Sequence, residues 1–351
     1  MCKHLILSAV GTVMLLWAAV PGFAITTPVL GTAEDYAVLG HTTVTNTGPT
    51  VVFGSASTLA NVGNWQAGTT NAIVGFDTNL NTFYGAGPFT NGPGLVYAPA
   101  AIHGGDGPGP GTALNARNDL IAAYVALAGY PSTGSLTGVD LGTRNISQSG
   151  ALAPGVYSFS STAQLTGTLQ LDAGGVDGVY WVFQIGSSLT TASASVVELI
   201  NPGGNLGADV GVFWVVGTGG SGSATLGTTT AFEGNILALD SITLNTGATI
   251  YNGRALARNG AVTLDTNVIS DICPTESEDV SGGHGSSSPN SGPGFSGGLG
   301  FDTITGQLVP TGPSGPGPGA IPEPLTLGGL ALGVGGLCGY LRRRKCAAGG
   351  S

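Results

Sequence analysis

Charge is scarce in this chain. Asp, Glu, Lys and Arg make up 8% of its 351 residues, and only nine residues are basic. Five of these sit at the extremities: Lys3 in the first segment, and Arg342, Arg343, Arg344 and Lys345 in the last. Arg117, Arg144, Arg254 and Arg258 are left to face eighteen acidic residues between Ile25 and Ala320. Such a surface repels polyanions, which excludes nucleic acid and anionic lipid as partners. Cysteine is equally thin. Of four cysteines, Cys2 lies at the start and Cys338 and Cys346 in the last segment, so Cys273 stands alone and no disulfide framework is available.

The poverty in histidine and carboxylate argues against catalysis. His4, His41, His103 and His284 are scattered, with no spacing that suggests a Ser-His-Asp arrangement. His103 and Asp106 lie in a Gly-rich turn that suits capping better than metal ligation. Glu233, Asp240 and Asp265 lie on successive repeats, which would let them pair as carboxylates for sugar cleavage, yet no clustered set repeats across neighbouring strands. The expectation is a protein that is not an enzyme and that needs no cofactor or metal.

What the chain does contain is glycine, 63 residues of it, with 42% hydrophobic residues, enough for a sizeable core in a turn-rich, β-leaning fold. The organising stretch runs from Ser223 to Ile269. Thr225-Leu226-Gly227-Thr228, Thr243-Leu244-Asn245-Thr246 and Thr263-Leu264-Asp265-Thr266 repeat a Thr-Leu-x-Thr unit at intervals of 18 and 20 residues. Between them, Glu233 to Ala238 answers Asn252 to Ala257. A repeat this short suits one coil of a β-solenoid. Its alternation turns Ile242, Leu244, Val262 and Leu264 inward and Thr243 and Thr263 outward. Earlier, Asn46 to Val51 echoes Asn245 to Ile250 at an offset of 199, which makes the N-terminal segment a coil of the same kind.

The aromatic strands around Trp181 and, 33 residues on, Trp214 are core rather than a ligand platform. One stretch is helical, about 112–128. Thr112 is its N-cap, Leu114, Leu120, Ile121, Tyr124, Val125 and Ala128 form its apolar stripe, and Gly129 with Pro131 ends it. The segment 61–111, rich in Gly, Asn and Pro, is expected to cap or flank the solenoid.

The extremities read as export signals. Residues 1–24 form a secretory signal, with Lys3 and His4, an apolar run from Leu5 to Val20 and small residues at the cleavage positions; a plain N-terminal anchor is the alternative. The solenoid domain is taken as 25–273, followed by a flexible Gly/Ser/Pro linker over 274–319 and a tail over 320–351. In that tail Pro322-Glu323-Pro324 precedes an apolar segment, 325–341, long enough to span a bilayer, and then Arg342, Arg343 and Arg344.

Two resemblances follow. Leu30 to Leu39, Ile102 to Asp106, Pro154 to Tyr157, Val182 to Gly186 and above all Gly234 to Ala238, Arg254 to Arg258 and Leu264 to Thr266 resemble the microbial ice-binding protein family with a discontinuous β-solenoid, of DUF3494 type. That resemblance covers roughly Val29 to Ile269. It implies an all-β fold: a right-handed discontinuous β-solenoid of triangular cross-section, one long α-helix packed alongside, and the N-terminal coil docked on the C-terminal ones. The tail resembles the PEP-CTERM sorting signal of Gram-negative bacteria, implying cleavage near Pro322-Glu323-Pro324 by an exosortase-type enzyme; a permanent single-span anchor is the alternative. Either way the domain is secreted or held at the cell surface.

The function expected is ice binding, with ice or an ordered water surface as partner. Outward threonines on stacked coils make a regular array, each offering a hydroxyl to water and a methyl that limits its reorientation. The expected site is Thr225, Thr243 and Thr263, with Ser188 as the equivalent one coil earlier; Thr230 and Thr249 mark an alternative face that ends at Val268. Against this stand the β-propensity of exposed threonine and the neighbours Gly227, Asn245 and Asp265, of which the last puts a charge in the array. The competing function is an adhesive protein that holds exopolysaccharide at the cell surface.

Overall fold

The computed structural model describes residues 26–54, 60–66, 72–85, 89–97, 100–105, 109, 111–203, 210–270, 299–302 and 308–310. The signal segment 1–24 and the tail with Pro322, Glu323, Pro324, Arg342, Arg343 and Arg344 lie outside the described residues. Among those that are described, no helix is long and apolar enough to cross a membrane.

Short strands, each followed by a turn, wind into coils that contribute to three parallel sheets. The first sheet has ten strands, ordered Gly134–Ser135, Gly155–Phe159, Tyr180–Ile185, Gly211–Val216, Asn235–Ala238, Ala255–Ala257, Tyr36–Gly40, Asn61–Asn64, Ile102–Gly104 and Phe83–Gly85. The second has eight: Ala163–Leu165, Leu189–Thr191, Ala224–Leu226, Ile242–Leu244, Val262–Asp265, Thr43–Thr47, Ala72–Phe76 and Phe89–Asn91. The third has seven: Thr168–Asp172, Val196–Ile200, Ala231–Glu233, Thr249–Tyr251, Val268–Ser270, Val51–Phe53 and Leu95–Val96. The N-terminal coil is thus wedged in mid-stack. Val38 pairs with Ala255, Val44 with Val262 and Val51 with Val268.

Pattern explains burial. Ile242, Leu244, Val262 and Leu264 are buried while Thr243 and Thr263 point away from them, as a period of two requires. Trp181 and Trp214 are fully buried, their indole N–H groups donating to the carbonyls of Leu152 and Glu233 at 3.1 and 3.0 Å. Their spacing of 33 does not set the register: Trp181 pairs with Val212, and Phe183 pairs with and stacks on Trp214 at 4.0 Å. A slip of two residues keeps the same side chains inside, so composition alone does not reveal it. The echo at offset 199 is likewise one residue out. Thr45 lies on the rung of Thr263 and Thr243, which puts Asn46 inside opposite Leu264, its amide donating to the carbonyls of Gly48 and Gly75.

Helix α1, Ala113–Ala128, starts at Thr112, whose hydroxyl accepts from the Asn115 N–H. It buries Ala113, Ala116, Leu120, Ala123, Tyr124 and Leu127 against Leu39, Val182, Phe213, Val215, Leu237 and Leu256 of the first sheet. This corrects the expected stripe: Val125 is exposed, and alanines take the contact line because small side chains let the helix lie close to the sheet. Gln184 of the sheet donates to the carbonyls of Leu127 and Tyr130, both at 2.8 Å, satisfying groups that the helix end leaves open.

Two other segments carry strands. The segment 61–111, expected to cap or flank the solenoid, adds six strands, distributed over all three sheets, beyond the N-terminal coil. Its Gly and Asn content hid strands only two to five residues long. Within the stretch read as linker, Leu299–Asp302 pairs antiparallel with Thr26–Pro28 and with Leu308–Pro310.

Candidate functional site

Each sheet presents a different outer surface. That of the first is covered by α1. The outer column of the third runs Thr168, Val196, Ala231, Thr249, Val268, Val51, Leu95. It is mostly aliphatic, and beside it stand Gln170 and Glu198, the former donating to the latter at 2.6 Å. Thr230, expected here, is fully buried: its hydroxyl is paired with that of Thr191 at 2.8 Å inside the coil, so Ala231, not Thr230, stands beside Thr249.

The second sheet is different. Its central outward column reads Gln164, Thr190, Thr225, Thr243, Thr263, Thr45, Val74, Thr90. Six of its eight members are threonine, one per coil and about 4.8 Å apart along the stack, as paired strands must be. Thr190, Thr263 and Thr90 are exposed and Thr225, Thr243 and Thr45 half-buried. Among the described residues none of the six hydroxyls has a hydrogen-bond partner, so all six are left to solvent. The sequence reading found three of these and missed Thr190, Thr45 and Thr90. Adjacent polar positions offered no cue to their register, because the turns between sheets vary in length.

Ser188 is displaced from this column. Thr190 pairs with Thr225, while the backbone carbonyls of Ser188, Ser223 and Ser241 bond the N–H groups of Ala163, Leu189 and Ala224 one step earlier on each strand. The serines of that flanking column turn their hydroxyls onto the ladder: Ser223 Oγ accepts from Ser241 N–H and Ser241 Oγ from Ala261 N–H, each at 3.2 Å.

On the other flank lie Gly227, Asn245, Asp265 and Thr47, at the corner between the second and third sheets. That corner needs a left-handed residue on successive coils, filled by Ala194, Thr229, Gly247 and Thr266; Thr229 and Thr266 both have φ 55°. A β-branched residue there is strained by about 1–3 kcal/mol. Asp265 sits beside Thr266 and accepts hydrogen bonds from its hydroxyl, at 3.0 Å, and from that of Thr246 on the adjacent coil.

Nothing in the described residues groups three or more His, Cys, Asp or Glu side chains as a metal site would. One cavity, of about 270 Å³, lies at the stack end between Gly142 and Gln170. Two of its polar side chains are engaged within the protein: Asn145 donates to the Gly142 carbonyl at 2.7 Å and Gln170 accepts from Ile146 N–H at 2.8 Å. What the geometry offers is therefore a flat, uncovered lattice of hydroxyl and methyl groups, suited to a repetitive surface rather than to a small molecule.

Comparison with known proteins points the same way. A family model described as Ice-binding-like matches residues 38–270. The ice-binding protein of Nostoc sp. (strain HG1) is 43% identical over 250 residues, covering 71% of this chain and 76% of that protein. The ice-binding protein of Colwellia sp is 32% identical over 247 residues, covering 70% and 84%. The crystal structure of an ice-binding protein from the Antarctic ascomycete Antarctomyces psychrotrophicus superposes with a TM-score of 0.52 at 31% identity, over 70% of this chain and 98% of that one.

Proposed function

The chain belongs to the ice-binding-like family, and from that premise we propose that it binds ice through the outer face of the second sheet, on the column of Thr190, Thr225, Thr243, Thr263, Thr45 and Thr90. The observation that carries this reading is the column itself: six threonines on one sheet position, their hydroxyls free of protein partners, on an outer face that α1 leaves open. Each hydroxyl bonds one water and each methyl narrows that water's orientations. Repetition every ~4.8 Å along the stack then holds a layer of water in a fixed pattern that can join a growing crystal. Because the array is rigid before contact, adsorption costs little conformational entropy.

Thermal hysteresis and inhibition of ice recrystallisation by the purified domain test the activity, and a pair of bulky substitutions tests the face. Thr243→Tyr should abolish crystal shaping at an unchanged melting temperature, whereas Thr249→Tyr on the third sheet should leave it intact. The opposite result would move the site to the third sheet.

The finer features belong to the same proposal. The coils are read as right-handed and triangular in cross-section, which three sheets per turn and the likeness to solved ice-binding solenoids support. Residues 1–24 are read as an export signal. Pro322-Glu323-Pro324 with the apolar run and Arg342, Arg343 and Arg344 is read as a tail recognised by an exosortase-type enzyme, which leaves the domain outside the cell among exopolysaccharide. Intact-mass analysis of native protein that recovered the arginine cluster would overturn the cleavage.

A further inference from the structure

We infer that Asp265 sets the edge of the ice face and holds its affinity below what the threonine column alone would give; the inference rests on the reading of that face above. Three observations carry it. First, Asp265 puts a carboxylate beside the threonine column: among the described residues the same place on neighbouring coils is held by Gly227, Asn245 and Thr47, all uncharged. Second, its two oxygens take the hydroxyl protons of Thr246 and Thr266, the closing threonines of two adjacent Thr-Leu-x-Thr units. Both side chains are exposed at the corner, and their hydroxyl donors are spent on this carboxylate. Third, Thr266 keeps a strained left-handed backbone at φ 55° where Gly247 serves the adjacent coil, and its bond to Asp265 fixes the hydroxyl there.

The physical consequence is a boundary. A carboxylate holds its hydration more tightly than a hydroxyl, and its first-shell water is oriented toward the charge rather than along a lattice. Bringing it to the ice front requires part of that water to be replaced, which is unfavourable. The ordered layer over Thr243 and Thr263 therefore stops at the corner instead of continuing over Thr246 and Thr266.

The test is a gain of activity, which damage to the fold cannot imitate. Asp265→Asn removes the charge and keeps a side chain able to bridge; Asp265→Ala removes both. Asp172→Asn, on the third sheet, removes an equal charge away from the face. At equal molar concentration the two Asp265 variants should raise the hysteresis gap by about twofold or more, because no carboxylate has to shed water at the ice front, while Asp172→Asn matches the parent. An unchanged or reduced gap in both Asp265 variants, with an active parent and an unaltered melting temperature, overturns the inference and assigns Asp265 to holding the corner. A parent without any ice activity overturns the reading of the face itself, and this inference with it.

Discussion

Arg254, fully buried, donates from Nε and Nη2 to the carbonyl oxygen of Glu34, at 3.0 and 2.8 Å, and from Nη1 to Asn235 at 3.1 Å. One side chain of the C-terminal coils thereby holds the turn that leads into the N-terminal coil. Beside it, burial raises the pKa of Asp35, and the charges of Arg254 and His103 pull it back down.

Replacing Arg254 should therefore loosen the junction on which the mid-stack wedge depends. Arg254→Met leaves the Glu34 carbonyl and the Asn235 amide oxygen without these donors, and the expected loss is about 1–3 kcal/mol for each buried acceptor so deprived. Urea unfolding read by tryptophan fluorescence checks this. A loss no larger than that of a surface substitution would show that the junction is held by packing alone.

Leu244→Ala should cost about 2–5 kcal/mol, the usual range for truncating a buried leucine. Thr243→Ala, one residue away on the outer face, should cost well under that. Equal losses would mean that inward and outward positions have been interchanged.

Thr45→Tyr should weaken ice shaping as strongly as Thr243→Tyr, although the two residues belong to opposite ends of the domain sequence. Thr45 lies beside Thr263 and closes the unbroken run of threonines, so a bulky ring there reaches over its neighbour and separates the run from Thr90. An undiminished activity would confine the working face to the C-terminal coils.

Tyr124 links α1 to the first sheet through a 3.0 Å bond to the Val216 carbonyl, and burial above all raises its pKa to about 12. Its folded pKa lies above the unfolded one of about 10, so the folded chain holds this proton longer. The corresponding stability is present below the unfolded value and lost as pH rises through the folded one. Tyr124→Phe should flatten that alkaline decline while lowering neutral stability by about 1 kcal/mol through the missing hydrogen bond. Denaturant midpoints measured across the alkaline range would reveal an unchanged slope if the assignment is wrong.

Alternation was the legible part of this molecule. Ile242, Thr243 and Leu244 announce their faces because inward and outward residues differ in kind, and Thr225, Thr243 and Thr263 share a rung because their coils differ little in length. Legibility fails where chemistry and position part company. Ser188 carries the expected hydroxyl, but Thr190 has the register. Thr230 has the right side chain yet spends it on Thr191 inside the coil. Asn46 is polar and nevertheless buried, because two carbonyls receive its amide. Arg254 could not be read as a junction residue from sequence, since Glu34 stands 220 residues away.

That separation has a kinetic side. The N-terminal coil finds its neighbours on one flank only when the strands at Ala255–Ala257, Val262–Asp265 and Val268–Ser270 exist. Contacts so remote along the chain raise the contact order and slow folding. During synthesis, therefore, the edges of Tyr36–Gly40, Thr43–Thr47 and Val51–Phe53 wait open until nearly the whole domain has emerged, and the last coil made is the one that closes the stack.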